Sequence, residues 1–257
     1  GITGIDNQGL EGLEYYYDEY LRGTPGLLSA EKDAASRIIP GGDEVYQPPV
    51  DGADLVLTID SVIQHIAETQ IKTAVEESES ERGAILIMNP RTGEILASAV
   101  YPTFDPNNYG AYSLETRRNV VITDQYEPGS TFKFVTAAAA LDLGLTWEER
   151  EFYSGAYWEI NGGRVRNWDG RGNGYLSFLQ ALERSDNIVF AQLAVEMGPE
   201  RFYPIIRAFG FGSRLGIDFP GEGRGKVVAP GEVRFGEEIR WANIGFGQGI
   251  AVTPLQM

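Results

Sequence analysis

The sequence lacks cysteine and contains a single histidine, His65. Without cysteine there is no disulfide, no thiolate nucleophile and no cysteine-bound metal. A cysteine-free chain suits both oxidising and reducing compartments, so its location stays open. One histidine argues against a zinc site and leaves a Ser-His-Asp triad with one candidate. Because His65 falls on the polar face of a helix predicted over 61–75, we expect it to be solvated. We therefore predict no metal centre and no cofactor.

Positive charge is also scarce, since 21 Lys and Arg residues stand against 37 Asp and Glu residues and the net charge is −16. An acidic chain repels phosphate backbones, so nucleic acid is a poor candidate partner. No apolar run approaches the roughly 18 residues of a membrane-spanning helix. The sequence opens at Gly1 without an initiator methionine and closes just after Thr253-Pro254, a typical helix start. We expect it to be a piece of a longer protein.

Two regions differ along the chain. Residues 1–50 hold an amphipathic, tyrosine-rich stretch over 10–21 and a connector with a glycine pair at 41–42 and a proline pair at 48–49, which we take as a boundary. Residues 51–257 are predicted to form one larger unit of mixed helices and strands. Its predicted strands are 54–59, 84–88 and 94–100, with a small hairpin around 161–163; its predicted helices are 61–75, 130–143, 176–184 and 188–197, with short strands and glycine turns in the remainder.

A serine with a lysine three residues later stands at the start of the predicted helix 130–143. The preceding residues 127–129 (EPG) form a turn sequence, so Ser130 lies where backbone N–H groups are unpaired and suited to an oxyanion. Lys133 shares a helix face with Ser130, and burial in an apolar helix would lower its pKa. A lysine so placed can take the serine proton. We predict Ser130 as the nucleophile and Lys133 as the general base.

The S-x-x-K pattern is weakly specific by itself, because Ser29 and Lys32 match it too. That second pair stands in the polar connector with no apolar helix behind it, so we interpret it as solvated loop. For Ser130 and Lys133 the simplest alternative is a helix-capping serine beside a surface lysine. The alternative explains the serine, but not a lysine flanked by two phenylalanines in a helix that is apolar nearly all round.

A second motif, Ser185-Asp186-Asn187, interrupts two apolar helical patterns and is the only S-x-N in the sequence. A polar turn pinned between two helices can present its side chains to a cleft. We predict that Ser185 relays a proton between Lys133 and a leaving group, and that Asn187 hydrogen-bonds a peptide-like substrate. The alternative is that Ser185 or Asn187 caps the helix beginning at Ile188, and both roles can hold at once.

Together the two motifs resemble the signature set of penicillin-binding proteins and related β-lactamases. Residues 126–133 (YEPGSTFK) look like the class B form of the first motif, and residues 12–23 are similar to the stretch that precedes the catalytic domain in that class. Residues 55–60 resemble its opening strand, and residues 247–257 resemble the segment between the second and third motifs. Residues 119–126 favour the cell-division or sporulation branch.

The resemblance implies an α+β fold, the transpeptidase fold shared with serine β-lactamases, in which an antiparallel sheet with packed helices adjoins an all-helical subdomain. In these terms residues 1–50 are the end of an N-terminal dimerisation or pedestal-like region with its connector. Residues 51–257 are the transpeptidase domain without its C-terminal part. The third motif, K-[ST]-G, is absent, since Lys226 is followed by two valines, and we expect it beyond Met257.

The activity that the resemblance implies is D-Ala-D-Ala transpeptidation of peptidoglycan stem peptides through an acyl-enzyme that β-lactams also form. The fragment alone is expected to be inactive. The implied partners are stem peptides, β-lactams, a glycosyltransferase and division proteins. The implied location is the outer face of the cell membrane, through an N-terminal anchor outside this sequence. Three alternatives stay open: a D,D-carboxypeptidase or β-lactamase with the same site, a β-lactam sensor, and a non-catalytic division scaffold.

Overall fold

The structure, a computed structural model, describes residues 1–33, 35, 39, 44–161, 163–232 and 236–257. The chain divides into two compact units, residues 1–118 with 218–221 and residues 119–217 with 222–257. The glycines at 41, 42 and 162, which the sequence analysis places in a connector and a hairpin, lie outside the described residues. A boundary at residue 50 rests on composition and stays a prediction.

The first unit combines short antiparallel strand pairs with one long helix. The pairs are β1 with β2, β3 with β4, and β5 with β6. The strands are β1 Ile2–Thr3, β2 Gly9–Glu11, β3 Leu27–Ala30, β4 Glu44–Gln47, β5 Gly83–Met88 and β6 Ile95–Tyr101; the helices are α1 Gly12–Tyr16, α2 Asp18–Leu21, α3 Ser61–Glu77 and α4 Leu114–Arg117, with a 3-10 segment at Pro106–Ala111. The predicted strands 84–88 and 94–100 are confirmed as the hairpin β5–β6.

Helix α3 begins where the sequence predicts, because the Asp60 carboxylate accepts hydrogen bonds from two backbone N–H groups of its first turn. His65 lies exposed on α3, as expected. One side of the helix packs on β5 and β6 and forms a small apolar core of Ala67, Ile71, Val75, Ala97 and Ala99. Gly83 permits this close packing, since a Cβ there would lie 2.6 Å from side-chain atoms of Ile71 and Val75.

The strand predicted over 54–59 is wrong. The segment runs beside the start of β6, where the Thr58 hydroxyl donates to the Ile95 carbonyl at 2.6 Å, but no backbone ladder forms. Val56 is 93% exposed and Leu57, on the opposite side of an extended chain, is 43% exposed, so neither side of the alternating pattern is well buried. One backbone hydrogen bond reaches β6, from the Asp60 N–H to the Leu96 carbonyl at 2.9 Å, and alternation alone does not make a strand without a continued ladder.

The second unit packs helices around a central helix, α8, with two strand pairs beside it. Strands β7 and β10 pair with each other, and hairpin β8–β9 lies between them in the sequence. Both pairs are antiparallel. The elements are α5 Val120–Thr123, α6 Lys133–Asp142, β7 Glu151–Ser154, β8 Trp158–Ile160, β9 Gly163–Val165, β10 Gly174–Ser177, α7 Phe178–Glu183, α8 Asn187–Met197, α9 Pro199–Ala208 and α10 Glu237–Ile244, with 3-10 segments at Gly129–Phe132 and Pro254–Gln256. The predicted hairpin and the helices within 130–143, 176–184 and 188–197 are confirmed.

Helix α6 differs from its prediction in two ways. Its first predicted turn is a 3-10 segment, so the α-helix proper begins at Lys133. The helix is also not buried all round, since Phe134 is 68% exposed and Leu141 is 48% exposed. It ends at Asp142, and Gly144 stops it two residues later, as the sequence predicts, with a φ of +66° that a glycine adopts without strain.

Helices α9 and α10 fall where only short strands and turns were predicted. Pro204 lies inside α9, and glycines precede and follow α10. A proline inside a helical pattern speaks against helix in the sequence alone, and flanking glycines are read as turns when no longer apolar pattern lies between them. The two helices form because they bury large side chains: Phe202 of α9 and Trp241 of α10 are both almost fully buried and lie in ring contact with centroids 6.1 Å apart.

Candidate active site

Ser130 lies in the 3-10 turn that leads into α6, with its side chain exposed. The turn before it is held from the far end of the chain. Gly129 donates its N–H to the Gly247 carbonyl at 3.0 Å, and Gly249 donates its N–H to Glu127 Oε1 at 2.7 Å. The serine hydroxyl is therefore presented to solvent on a rigid turn.

Lys133 is 1% exposed, and its ammonium lies among four oxygen atoms. Nζ donates to the Ser185 carbonyl at 2.6 Å, to Asn187 Oδ1 at 2.7 Å and to Ser185 Oγ at 2.9 Å, and it lies 3.3 Å from Ser130 Oγ. The Phe190 ring closes one side, with its centroid 5.6 Å from Nζ. The structure thus brings all four predicted site residues together around one nitrogen.

Burial lowers the pKa of Lys133 to about 8, and the negative charge of Asp186 partly opposes this shift. A charged ammonium has three hydrogens for four oxygen neighbours. The neutral amine keeps two hydrogens, enough for the Ser185 carbonyl and Asn187, and gains a lone pair. That lone pair can accept the hydroxyl hydrogen of Ser130, which is the geometry that general-base catalysis requires.

The second motif forms the turn between α7 and α8. Ser185 has a φ of +54°, which turns its hydroxyl and its carbonyl toward the same lysine. Asn187 is the first residue of α8, and its amide Nδ2 donates to the Arg166 carbonyl at 3.0 Å. One amide hydrogen of Asn187 is left over, because an amide carries two. It is available to a carbonyl group of a substrate.

The helix cap predicted at Ser185 or Asn187 is wrong, because Asp186 caps α8. Asp186 has the extended backbone of an N-cap residue, and its carboxylate accepts from the Val189 N–H at 2.9 Å. Ser185 has a left-handed backbone and Asn187 is already helical, so neither can serve. Sequence reasoning missed Asp186, although aspartate is among the best N-cap residues. That preference was the available signal.

The second S-x-x-K match lies elsewhere, in the first unit. Ser29 is an exposed residue of β3 and Lys32 is exposed after it. The solvated interpretation is confirmed, although Ser29 lies on a strand and not in a loop.

Comparison with known families identifies the family of the chain. Residues 83–257 match the penicillin binding protein transpeptidase domain, and residues 1–57 match the penicillin-binding protein dimerisation domain. The first match covers more than half of the sequence. The chain belongs to the penicillin-binding protein transpeptidase family. The predicted family is confirmed.

Relatives of this chain match it along its whole length. Stage V sporulation protein D of Bacillus subtilis is 40% identical over 258 residues, and the peptidoglycan D,D-transpeptidase FtsI of Escherichia coli is 32% identical over 258 residues. Each match covers 100% of this chain but only 40% and 42% of the relative. The chain therefore spans about two fifths of the length of these curated relatives.

Solved structures show the same fold. Penicillin binding protein 3 of Mycobacterium tuberculosis has a TM-score of 0.84 at 28% identity, over 100% of this chain and 53% of its own. A protein from Atopobium parvulum described as a putative peptidoglycan glycosyltransferase has a TM-score of 0.83 at 33% identity, over 100% of this chain and 56% of its own. The predicted α+β transpeptidase fold is confirmed. No helix in the described part of the chain has the length and apolarity to cross a membrane.

Proposed function

We propose that this chain carries the nucleophile, base and relay of a peptidoglycan D,D-transpeptidase, which joins stem peptides through an acyl-enzyme on Ser130. One observation carries the proposal: the buried Lys133 nitrogen lies within hydrogen-bonding reach of Ser130, Ser185 and Asn187 at once. The family supplies the class of substrate, while the residues supply the type of reaction.

Acylation begins with neutral Lys133. Its lone pair takes the proton of Ser130 as the serine oxygen attacks the carbonyl carbon between the two terminal D-Ala residues. The tetrahedral oxyanion lies at the start of the helical turn, where unpaired backbone N–H groups stabilise it. Asn187 holds the peptide through its free amide hydrogen.

The leaving group departs with a proton that passes through Ser185. Protonated Lys133 donates to Ser185 Oγ, at 2.9 Å, and the hydroxyl hydrogen of Ser185 goes to the amine nitrogen of the departing D-Ala. The C–N bond breaks and an ester to Ser130 remains. The amine of a neighbouring stem then attacks this ester, its proton returns by way of Lys133 to the Ser130 oxygen, and the free serine is restored.

The wider assignment follows the same family. Residues 1–50 belong to the dimerisation region with its connector, and residues 51–257 to the transpeptidase domain, with the K-[ST]-G motif beyond Met257. The whole protein acts at the outer face of the membrane, alongside a glycosyltransferase and division proteins. The identity to Stage V sporulation protein D supports a sporulation or division role. The neighbour structure of penicillin binding protein 3 complexed with ampicillin, with a TM-score of 0.84, supports acylation by β-lactams.

Intact-protein mass spectrometry with fluorescent penicillin tests the proposal on the full-length protein. We expect one covalent adduct on the wild type and none on Ser130→Ala. The matched control is Ser29→Ala, which removes the serine of the other S-x-x-K pair and should leave labelling unchanged. An adduct that survives Ser130→Ala contradicts the assignment, and an adduct released within seconds indicates a β-lactamase.

A further inference from the structure

We propose that Asp186 is a positioning residue for Lys133: its buried carboxylate holds in place the Ser185–Asn187 turn, whose oxygen atoms surround the lysine nitrogen, and carries a negative charge at that turn. The inference rests on the proposed acyl-transfer function. It assigns a role to the middle residue of the second motif, which acts on the chemistry only through Lys133.

The carboxylate of Asp186 is 1% exposed and fully hydrogen-bonded. Oδ2 accepts from Ser154 Oγ at 2.6 Å, Asn173 Nδ2 at 2.7 Å and Asn167 Nδ2 at 3.0 Å, while Oδ1 accepts from the Val189 N–H at 2.9 Å. All four donors are neutral groups. A buried carboxylate is tolerated when its lone pairs are satisfied, so these donors keep the charge without neutralising it.

Three of the four donors come from parts of the chain that are distant in sequence. Ser154 ends β7, Asn167 and Asn173 lie between β9 and β10, and Val189 lies in α8. Asn167 also accepts the Asn187 N–H at 2.8 Å, so one side chain holds both Asp186 and the residue that follows it. One carboxylate thus joins three elements at the second motif.

Lys133 depends on this turn for its position. Three of its four oxygen neighbours belong to Ser185 and Asn187, the residues on either side of Asp186. The Ser185 carbonyl, at 2.6 Å the nearest of the four, belongs to the peptide bond that leads into Asp186. Loosening the turn would therefore move the lysine relative to Ser130.

Asp186 is also the charge that acts on the lysine. Among the charged groups of the described residues, Asp186 raises the pKa of Lys133 against the lowering effect of burial. The other charged groups on α6 and the elements packed against it are directed elsewhere: Glu196 pairs with Arg150, Arg201 and Arg207 donate to backbone carbonyls, and Asp142 and Glu200 are exposed. With Asp186, the lysine can both accept and return a proton near neutral pH.

The test compares two variants of the full-length protein by their acylation rate constants with fluorescent penicillin from pH 5.5 to pH 9.5. Asp186→Asn removes the charge and keeps the shape, so the acid limb of the profile should move down by about one pH unit. Ser154→Ala removes one donor and keeps the charge. It should slow acylation roughly ten-fold, because one buried hydrogen bond is lost. The acid limb of its pH profile should stay where it is in the wild type.

Each outcome decides between the roles. Replacing a residue with a merely structural role would leave the acid limb of the pH profile where it is. An acid limb that stays in place in a folded Asp186→Asn protein therefore overturns the electrostatic role. If that variant shows no cooperative thermal transition, Ser154→Ala decides: a slowed rate supports the positioning role, and a wild-type rate overturns it. If penicillin does not acylate the wild-type protein, the proposed acyl-transfer function itself is refuted. This result is distinct from a failure of the role proposed for Asp186.

Discussion

Lys133 is a charged residue placed where burial disfavours its charge. Its pKa of about 8 lies below the value of about 10.4 for a free lysine. Between these two pH values the unfolded chain holds a proton that the folded chain has lost, so stability rises with pH across this window. Below about pH 8 the buried ammonium destabilises the fold. The same burial makes the lysine a base that works near neutral pH.

The rate of acylation should rise with pH through an apparent pKa of about 8, because only neutral Lys133 can accept the serine proton. Fluorescent penicillin labelling of the full-length protein at a series of pH values measures this. Lys133→Ala should lose roughly 100-fold or more in rate and also lose the acid limb. A profile that is flat from pH 6 to pH 9 in the wild type would contradict the assignment of the base.

At the scale of elements, the turn that carries Ser130 is built against a segment more than a hundred residues away. Tyr126 and Val252 exchange two backbone hydrogen bonds of 2.9 Å each, forming an isolated β-bridge. Gly247 lies so close to Gly129 that a Cβ at Gly247 would come within 2.0 Å of the Gly129 carbonyl oxygen. Close packing of this kind leaves the serine turn little freedom to move.

Gly247→Ala should therefore be severe, whereas Gly249→Ala is its matched control. Both glycines have left-handed backbones, with φ of +83° and +73°, so alanine costs each roughly 1 kcal/mol of unfolding free energy. Of the two, only Gly247 has backbone atoms where the new Cβ would lie. That clash should add about 1–3 kcal/mol to the loss of unfolding free energy and should slow acylation. Chemical denaturation and penicillin labelling measure both effects. Equal losses in the two variants would show that contact with Gly129 is unimportant.

At the scale of the whole molecule, the described residues form two apolar cores. The larger core lies in the second unit, around α8 and behind Lys133, and includes Phe132 and Phe190. The smaller core lies in the first unit, between α3 and the hairpin β5–β6, and includes Ile71. No buried residue is shared between these two clusters, so damage to one should leave the other intact.

Ile71→Ala should open the smaller core and destabilise the first unit by about 2–5 kcal/mol. Ile71 is 8% exposed, whereas Ile66 on the same helix is 53% exposed, so Ile66→Ala makes the same chemical change at little cost. Amide hydrogen exchange should speed up in β5 and β6 of the Ile71→Ala protein and stay unchanged in α8. Faster exchange in α8 would show that the two cores unfold together.

Local signals in the sequence were sufficient for part of this structure. The Asp60 cap, the apolar spacing of α3, the hairpin β5–β6 and the stop at Gly144 all depend on neighbours within a few residues, and all four are confirmed. The spacing of Ser130 and Lys133 likewise needs only one helical turn. The Ser185–Asn187 turn was found because two apolar patterns stop on either side of it.

The amino-acid sequence was therefore enough to predict the local structure and to recognise the two motifs, because helix caps, turns and residue spacing are short-range effects. Tertiary structure alone decided which atoms meet. It left residues 54–59 without a pairing strand, exposed Phe134, and folded α9 and α10 against their local preferences. It also gave Asp186 its donors from β7 and the segment between β9 and β10. Contacts between residues far apart in the chain leave no periodic pattern, so only the packed fold reveals them.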